Sequence, residues 1–204
     1  MGYKYQDLFV KIVESVADNG ETAERMASVI DECAAQRPHA DWSRLRRLDF
    51  RADEQKIAGW LSAAFPKAGE RALGQGLWFG LFNPIRFDSP SADAYVSAAP
   101  DFDDASIEWA TQIAPQHPGS YLNSVVLHNI YSIAYESYES LGNDAEYPLV
   151  LTYGGIAARA ALMRSELPKS LTALRGAAVG FDSGDFLQLG DFADGKFITN
   201  VRSC

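Results

Sequence analysis

From the fifth residue the apolar positions repeat at helical spacing. Tyr5, Leu8, Phe9, Ile12, Val13 and Val16 share one face, and Asn19-Gly20 ends the run. A second amphipathic stretch follows, with Thr22 as its N-cap and Met26, Val29, Ile30, Cys33 and Ala34 as its stripe. A further helix is expected near Asp53–Phe65. Between these two lies DWSRLRRLDFR, where Arg44, Arg46, Arg47 and Arg51 alternate with Trp42, Leu45, Leu48 and Phe50. Basic residues with aromatics between them suit nucleic acid, but Asp41, Asp49, Asp53 and Glu54 flank the run and cancel much of its field. A solvated segment with local ion pairs is the reading kept.

At Gly76 the period changes from helical to alternating. GLWFGLF (Gly76–Phe82) puts Leu77, Phe79 and Leu81 on one face and Trp78 and Phe82 on the other, which predicts a strand covered on both sides. Asn83-Pro84 stops it, and Ala92–Ala98 returns as an antiparallel neighbour. In PDFDDASIEW, Asp103 or Asp104 is expected to cap a short helix carrying Ile107 and Trp109. The run Tyr121–Gly142 is apolar around so much of its circumference that it predicts one enclosed central helix. From Pro148 onward Val150, Leu151, Gly154, Ala157, Ala158, Ala161 and Leu162 recur at helical spacing. Gly154-Gly155 weakens that helix by about 1 kcal/mol per glycine, so a strand at Leu149–Tyr153 stays open as the alternative.

The tail, GFDSGDFLQLGDFADGKF, sets Asp182, Asp185, Asp191 and Asp194 among four glycines and four phenylalanines. Ser183-Gly184 and Asp194-Gly195 read as hairpin turns and predict a three-stranded meander. Two-residue loops place Phe181 opposite Phe186 and Phe192 opposite Phe197. Gly176, Ala178 and Gly180 then make a shallow face for a helix to lie on. The aspartates read mainly as turn formers. Asp182 and Asp185, however, would face each other across the first turn, where like charges repel and call for a nearby lysine, arginine, cation or partner.

These elements predict one α+β domain over residues 1–204. Residues 1–66 form a mainly helical N-terminal part, and residues 76–204 supply the central helices and a mainly antiparallel sheet of about five strands, ending in the meander. The 47% hydrophobic content suffices for a sizeable core. A net charge of −9 argues against nucleic acid or an anionic membrane as the main partner and favours a basic protein surface. The excess is uneven: 14 acidic against 12 basic residues in 1–100, but 13 against 6 in 101–204. An acidic binding face is therefore expected from the second half, at Asp101, Asp103, Asp104, Asp182 and Asp185.

Motifs for chemistry are sparse. Cys33, inside an apolar stripe, reads as a buried hydrophobe, and with Cys204 it makes no disulfide framework; a reducing cytoplasm is expected. Neither the three histidines nor the cysteines show metal-ligand spacing, and Asp101, Asp103 and Asp104 lack the pattern of a calcium loop. Tyr153-Gly154-Gly155 lacks the lysine and the further glycines of a phosphate cradle. Neither a metal nor a cofactor is expected. His128 stands four residues from both Ser124 and Ser132, yet neither serine sits in a nucleophile elbow, so a hydrogen-bonded structural histidine beside the core is preferred.

The runs LWFGLFNP, DAYVSAAPDFDD, NDAEYPLVLTYGG and VGFDSGD together resemble small bacterial immunity proteins found with secreted toxins. That resemblance implies a cytoplasmic, acidic, cofactor-free binder that occupies the active surface of a toxin, and it assigns no site residue. The competing class is a small hydrolase or transferase whose site is assembled from scattered residues, such as His128 with Glu136, Asp101 or Tyr131.

Overall fold

The structure, a computed structural model, describes residues 4–67, 74–86, 89–103, 106, 108–113, 118–164, 173–182 and 184–203. The helical periodicity of the N-terminal part becomes α1 (Tyr5–Ala17), α2 (Thr22–Gln36), the single turn α3 (Trp42–Leu45) and α4 (Phe50–Lys67). Leu8, Ile12 and Val16 of α1 and Met26, Val29, Ile30 and Cys33 of α2 are fully buried, as their spacing predicts. Thr22 is the first residue of α2 rather than its cap. Glu21 holds the cap position in extended backbone, and the Thr22 hydroxyl donates instead to Glu54. Two arginines of the run are paired, one of them locally: Arg44 with Asp41 and also with the distant Glu136, and Arg46 with Asp31 of α2.

The alternating segment becomes β1 (Gly76–Phe82), and a small ribbon of β2 (Ile85–Arg86) and β3 (Ser89–Pro90) leads to β4 (Asp93–Ala99), antiparallel to β1. The predicted long helix over Tyr121–Gly142 is overturned. Tyr121–Leu122 is instead a short strand, β5, paired with β4, and the helix that follows, α5, covers only Val125–Ala134. Ser124 explains the break: its backbone is extended, and its hydroxyl accepts the Leu127 N–H as an N-cap. At the far end the Gly142 N–H donates to the Ala134 carbonyl at 2.7 Å, with Gly142 at positive φ.

The segment left open between helix and strand is helical: α6 (Asn143–Arg164) includes Leu149–Tyr153 without interruption. Pro148 lies in its second turn, and sixteen of its residues are buried on every side of the helix. This is the central helix, with α1, α2, α4 and α5 around it and the sheet beneath. Small residues make that possible. A Cβ added at Gly154 would lie 2.8 Å from Leu81 of β1, and one at Gly155 would lie 2.9 Å from Val16 of α1.

The tail forms β6 (Gly176–Phe181), β7 (Phe186–Ala193) and β8 (Lys196–Ser203) as a meander. Together the strands make one six-stranded sheet in the order β5-β4-β1-β6-β7-β8, one strand more than expected. All neighbours are antiparallel except the central pair, β1 and β6, which run parallel with Gly76 beside Gly176 and Gly80 beside Gly180. The fold is therefore α+β, with hairpin and meander joined by a parallel seam. The second turn matches its signal: Asp194 and Gly195 both take positive φ, and Phe192 and Phe197 pair with ring centres 5.3 Å apart.

Leu77, Phe79, Leu81, Ala94, Val96 and Val179 face the helices and join the main core. Across the sheet, Trp78, Tyr95, Ala99, Phe102, Trp109 and Ala178 form a second cluster. The shallow Gly176–Gly180 face belongs to this second side, so among the described residues none of the helices α1–α6 lies on it. Aromatic rings do. A Cβ at Gly176 would stand 2.1 Å from the Phe102 ring, and one at Gly80 would stand 2.2 Å from the Tyr95 ring.

This packing predicts opposite outcomes at two glycines. Gly80→Ala collides with the Tyr95 ring and is expected to destabilise the protein by about 1–3 kcal/mol. Gly59 lies exposed within α4 with nothing near its would-be Cβ, so Gly59→Ala is expected to stabilise by about 0.5–1 kcal/mol. Urea unfolding midpoints of the two variants measure this; equal stabilities would contradict the packing of Tyr95 on bare backbone.

Candidate functional site

The β6–β7 turn is one residue out of the register that a two-residue loop imposes. Gly180, not Phe181, stands opposite Phe186, and the Phe181 N–H donates to the Asp185 carbonyl at 3.2 Å. A one-residue slip sends side chains to the other face. Phe181 accordingly stacks on Tyr147 of α6 at 5.9 Å, while Phe186 joins the aromatic cluster across the sheet. The two aspartates separate in the same way. Tyr95 of β4 donates its hydroxyl to Asp182 Oδ1 at 2.6 Å on the aromatic side, and Tyr147 donates to Asp185 Oδ2 at 2.7 Å on the helical side. The expected face-to-face repulsion is thus avoided, and a phenol takes the place expected of a cation.

Asp182 is exposed at the edge of a cleft of about 440 Å³ on the face away from the helices. Trp78 and Tyr95 form its floor; Ala110, Thr111 and Ile113 form a wall. A hydrogen-bond chain crosses the floor: Trp78 Nε1–H donates to the Tyr95 oxygen at 3.2 Å, and the Tyr95 hydroxyl donates to Asp182. Burial, reinforced by the bond to Asp182, pushes the Tyr95 phenol above its ordinary value, so it stays a neutral donor. The aromatic surface continues beyond the cleft. Phe82 packs edge-on against both Tyr95 and the exposed Tyr121, and the two tyrosines are tilted on each other, with ring centres 5.7 to 6.0 Å apart among the three.

The other acidic candidates are not gathered here. Asp101 and Asp103 are exposed, and the Asp101 carbonyl lies beside Gly76 at the opposite end of β1, roughly 16 Å of strand from Asp182. Asp104 and Ile107 lie outside the described residues. At the short helical turn Glu108–Thr111 the Ser106 hydroxyl accepts the Glu108 N–H at 3.2 Å. Of the remaining tail carboxylates, Asp191 accepts from Gln188 and lies near Arg202, and Asp194 forms its turn. Among the described residues no three or more His, Cys, Asp or Glu side chains converge as a metal site.

The scattered acid–base set does not assemble either. His128 is exposed on α5, with Nδ1 3.0 Å from the hydroxyl of Ser91, a fully buried residue. Glu136 is bound by Arg44, Tyr131 stacks on Tyr135, and Asp101 lies across the sheet. Of the two serines four residues away, Ser132 has its hydroxyl 3.4 Å from His128 Nε2, and Ser124 belongs to a buried network around Asp53. Asp53 Oδ2 accepts from Ser124 at 2.5 Å and from Tyr153 at 3.0 Å, and Oδ1 accepts the Val125 N–H at 2.9 Å. A second cleft, of about 490 Å³, opens at the start of α2 and α4; two of its carboxylates are engaged in building those helices, Glu54 accepting from Thr22 and Asp49 accepting the Ala52 N–H.

No protein-family model, curated protein or solved structure matches the chain, so its site is read from its own geometry. Trp78 and Tyr95 were legible in the sequence only as strand residues. The signal that could have singled out Tyr95 is its place opposite Gly80 in an antiparallel hairpin, where a large ring meets a missing side chain.

Two predictions follow from these networks. Asp53→Ala strands two buried hydroxyls and the partly buried Val125 N–H and is expected to cost about 2–4 kcal/mol, whereas His128→Gln at its exposed site should change stability by less than about 1 kcal/mol; chemical unfolding compares them. Tyr95, Tyr135, Tyr147 and Tyr153 each donate to a carboxylate, and burial first, then that carboxylate, raises each phenol above the usual 10. A raised folded-state value contributes stability that is intact below about pH 10 and is lost as pH climbs toward the raised values. The urea midpoint should therefore hold from pH 8 to about 10 and fall above it, with part of the phenolate absorbance appearing only on unfolding.

Proposed function

We propose that this is a non-catalytic protein-binding protein that meets a basic partner through the aromatic face of its sheet. The observation that supports this reading is the cleft at Asp182: a carboxylate set among aromatic rings and continued by the exposed Tyr121. Aromatic residues anchor protein interfaces because they bury large area at little conformational cost, and a carboxylate among them selects for positive charge. The net charge of −9 adds a long-range attraction of the same sign. An immunity protein that neutralises a cognate bacterial toxin in the cytoplasm is the specific form of this reading, and it rests on the resemblance of the sequence runs. Among the described candidates the acidic contact we propose is Asp182, with Tyr121 beside it, since Asp185 bonds Tyr147 on the helical side and Asp101 lies at the far end of the strand.

The test is affinity capture from the source cells with the wild-type protein and with Thr111→Arg/Tyr121→Arg, both exposed positions on this face. A stoichiometric partner held by the wild type and lost by the double variant is expected. Its association rate should slow several-fold between about 50 and 500 mM salt, as the screening length falls from roughly 14 to 4 Å. Capture of no stoichiometric partner, or equal capture by both proteins, would overturn the reading.

A further inference from the structure

We propose that the Asp182 cleft is a guanidinium receptor that takes one arginine side chain; this rests on the binding role above and names the group recognised. The carboxylate is positioned in advance, because the Tyr95 hydroxyl holds Oδ1 at 2.6 Å and Tyr95 is itself anchored by the Trp78 indole N–H. Fixing the acceptor before binding removes an ordering cost. One phenol donor leaves most of the acceptor capacity of a carboxylate unused: each oxygen has two lone-pair sites. Among the described residues no basic residue lines the cleft.

The shape selects among cations. A guanidinium is planar, presents parallel N–H groups to a carboxylate and is weakly hydrated, so it can lie against the small part of Trp78 and Tyr95, 4% and 5% exposed, that the cleft opens to solvent. A lysine ammonium has three diverging donors and strong hydration, and here it would find one carboxylate and apolar walls. The volume of about 440 Å³ lies within the range of ligand sites and leaves room for backbone flanking the arginine at the mouth.

The experiment titrates Nα-acetyl-arginine methylamide, with the lysine and glutamine analogues as comparators, into nitrogen-15-labelled protein. The Trp78 indole N–H resonance is followed, identified by its loss in Trp78→Phe. The arginine probe should shift it saturably in the millimolar range. The lysine probe should bind at least about threefold more weakly and the glutamine probe not measurably, because only the guanidinium offers a paired fork. Asp182→Asn should weaken the arginine probe at least about fivefold. Thr111→Arg, which places a resident guanidinium at the wall and leaves Asp182 intact, should abolish the shift even if Asp182→Asn alters the turn. Absence of saturable binding, or equal binding of the arginine and lysine probes, overturns the inference. A captured partner that binds wild type and Asp182→Asn alike also overturns it, while the binding role stands. A probe that binds a protein able to capture no partner supports the cleft and removes the binding role instead.

Discussion

The close approach of α6 to its neighbours is the constraint on which the rest of the structure depends. Gly154 brings the helix down onto Leu81 of the sheet, and Gly155, one residue on, brings α1 up against its other side through Val16. Two glycines in mid-helix cost about 2 kcal/mol of intrinsic propensity, offset here by burial on all sides. Once α6 is seated, Tyr153 reaches Asp53 of α4, and Asp53 in turn starts α5 through the Val125 N–H. Arg159 reaches the end of α1, where it and Arg25 donate to the last carbonyls at 2.7 to 3.2 Å. Burial lowers the Arg25 guanidinium to about 10, still charged at neutral pH and well placed at a helix C-terminus.

An acidic chain of this kind must satisfy carboxylates without enough lysine and arginine to pair them. Phenols supply part of the answer. Tyr95, Tyr135, Tyr147 and Tyr153 each donate to an aspartate or glutamate at 2.6 to 3.0 Å. Such bonds orient the carboxylate without cancelling its charge, which leaves Asp182 both fixed in place and negative toward the solvent. The same pairing divides the sheet into a closed and an open side. Asp185 is held against α6, while Asp182 is held at the edge of the cleft on the other face of the sheet.

Much of the fold was legible because it depends on local period. The stripes of α1 and α2, the two-faced strand β1, its return in β4 and the Asp194-Gly195 hairpin are all consequences of which residues recur at 3.6 or 2, and of which turns admit positive φ. The misreadings came where one short-range signal stood for two structures. An apolar run from Tyr121 to Gly142 looks the same whether or not Ser124 interrupts it as a cap, and Ser183-Gly184 reads as a two-residue turn although the observed register, Gly180 opposite Phe186, needs one residue more.

By itself the sequence determined the α+β class, the single acidic chain with its charge weighted to the second half, the burial of Cys33 and the meander at the end, because each follows from neighbours within a few positions. Only the tertiary structure decided that β1 and β6 meet in parallel, that Gly80 lies under the Tyr95 ring, and that Asp182 and Asp185 point to opposite faces. Those outcomes bring together residues separated by 87 and 38 positions, as Tyr95 with Asp182 and Tyr147 with Asp185. Which partner a carboxylate finds over such distances is set by strand order and a one-residue register, and neither leaves a trace in local composition.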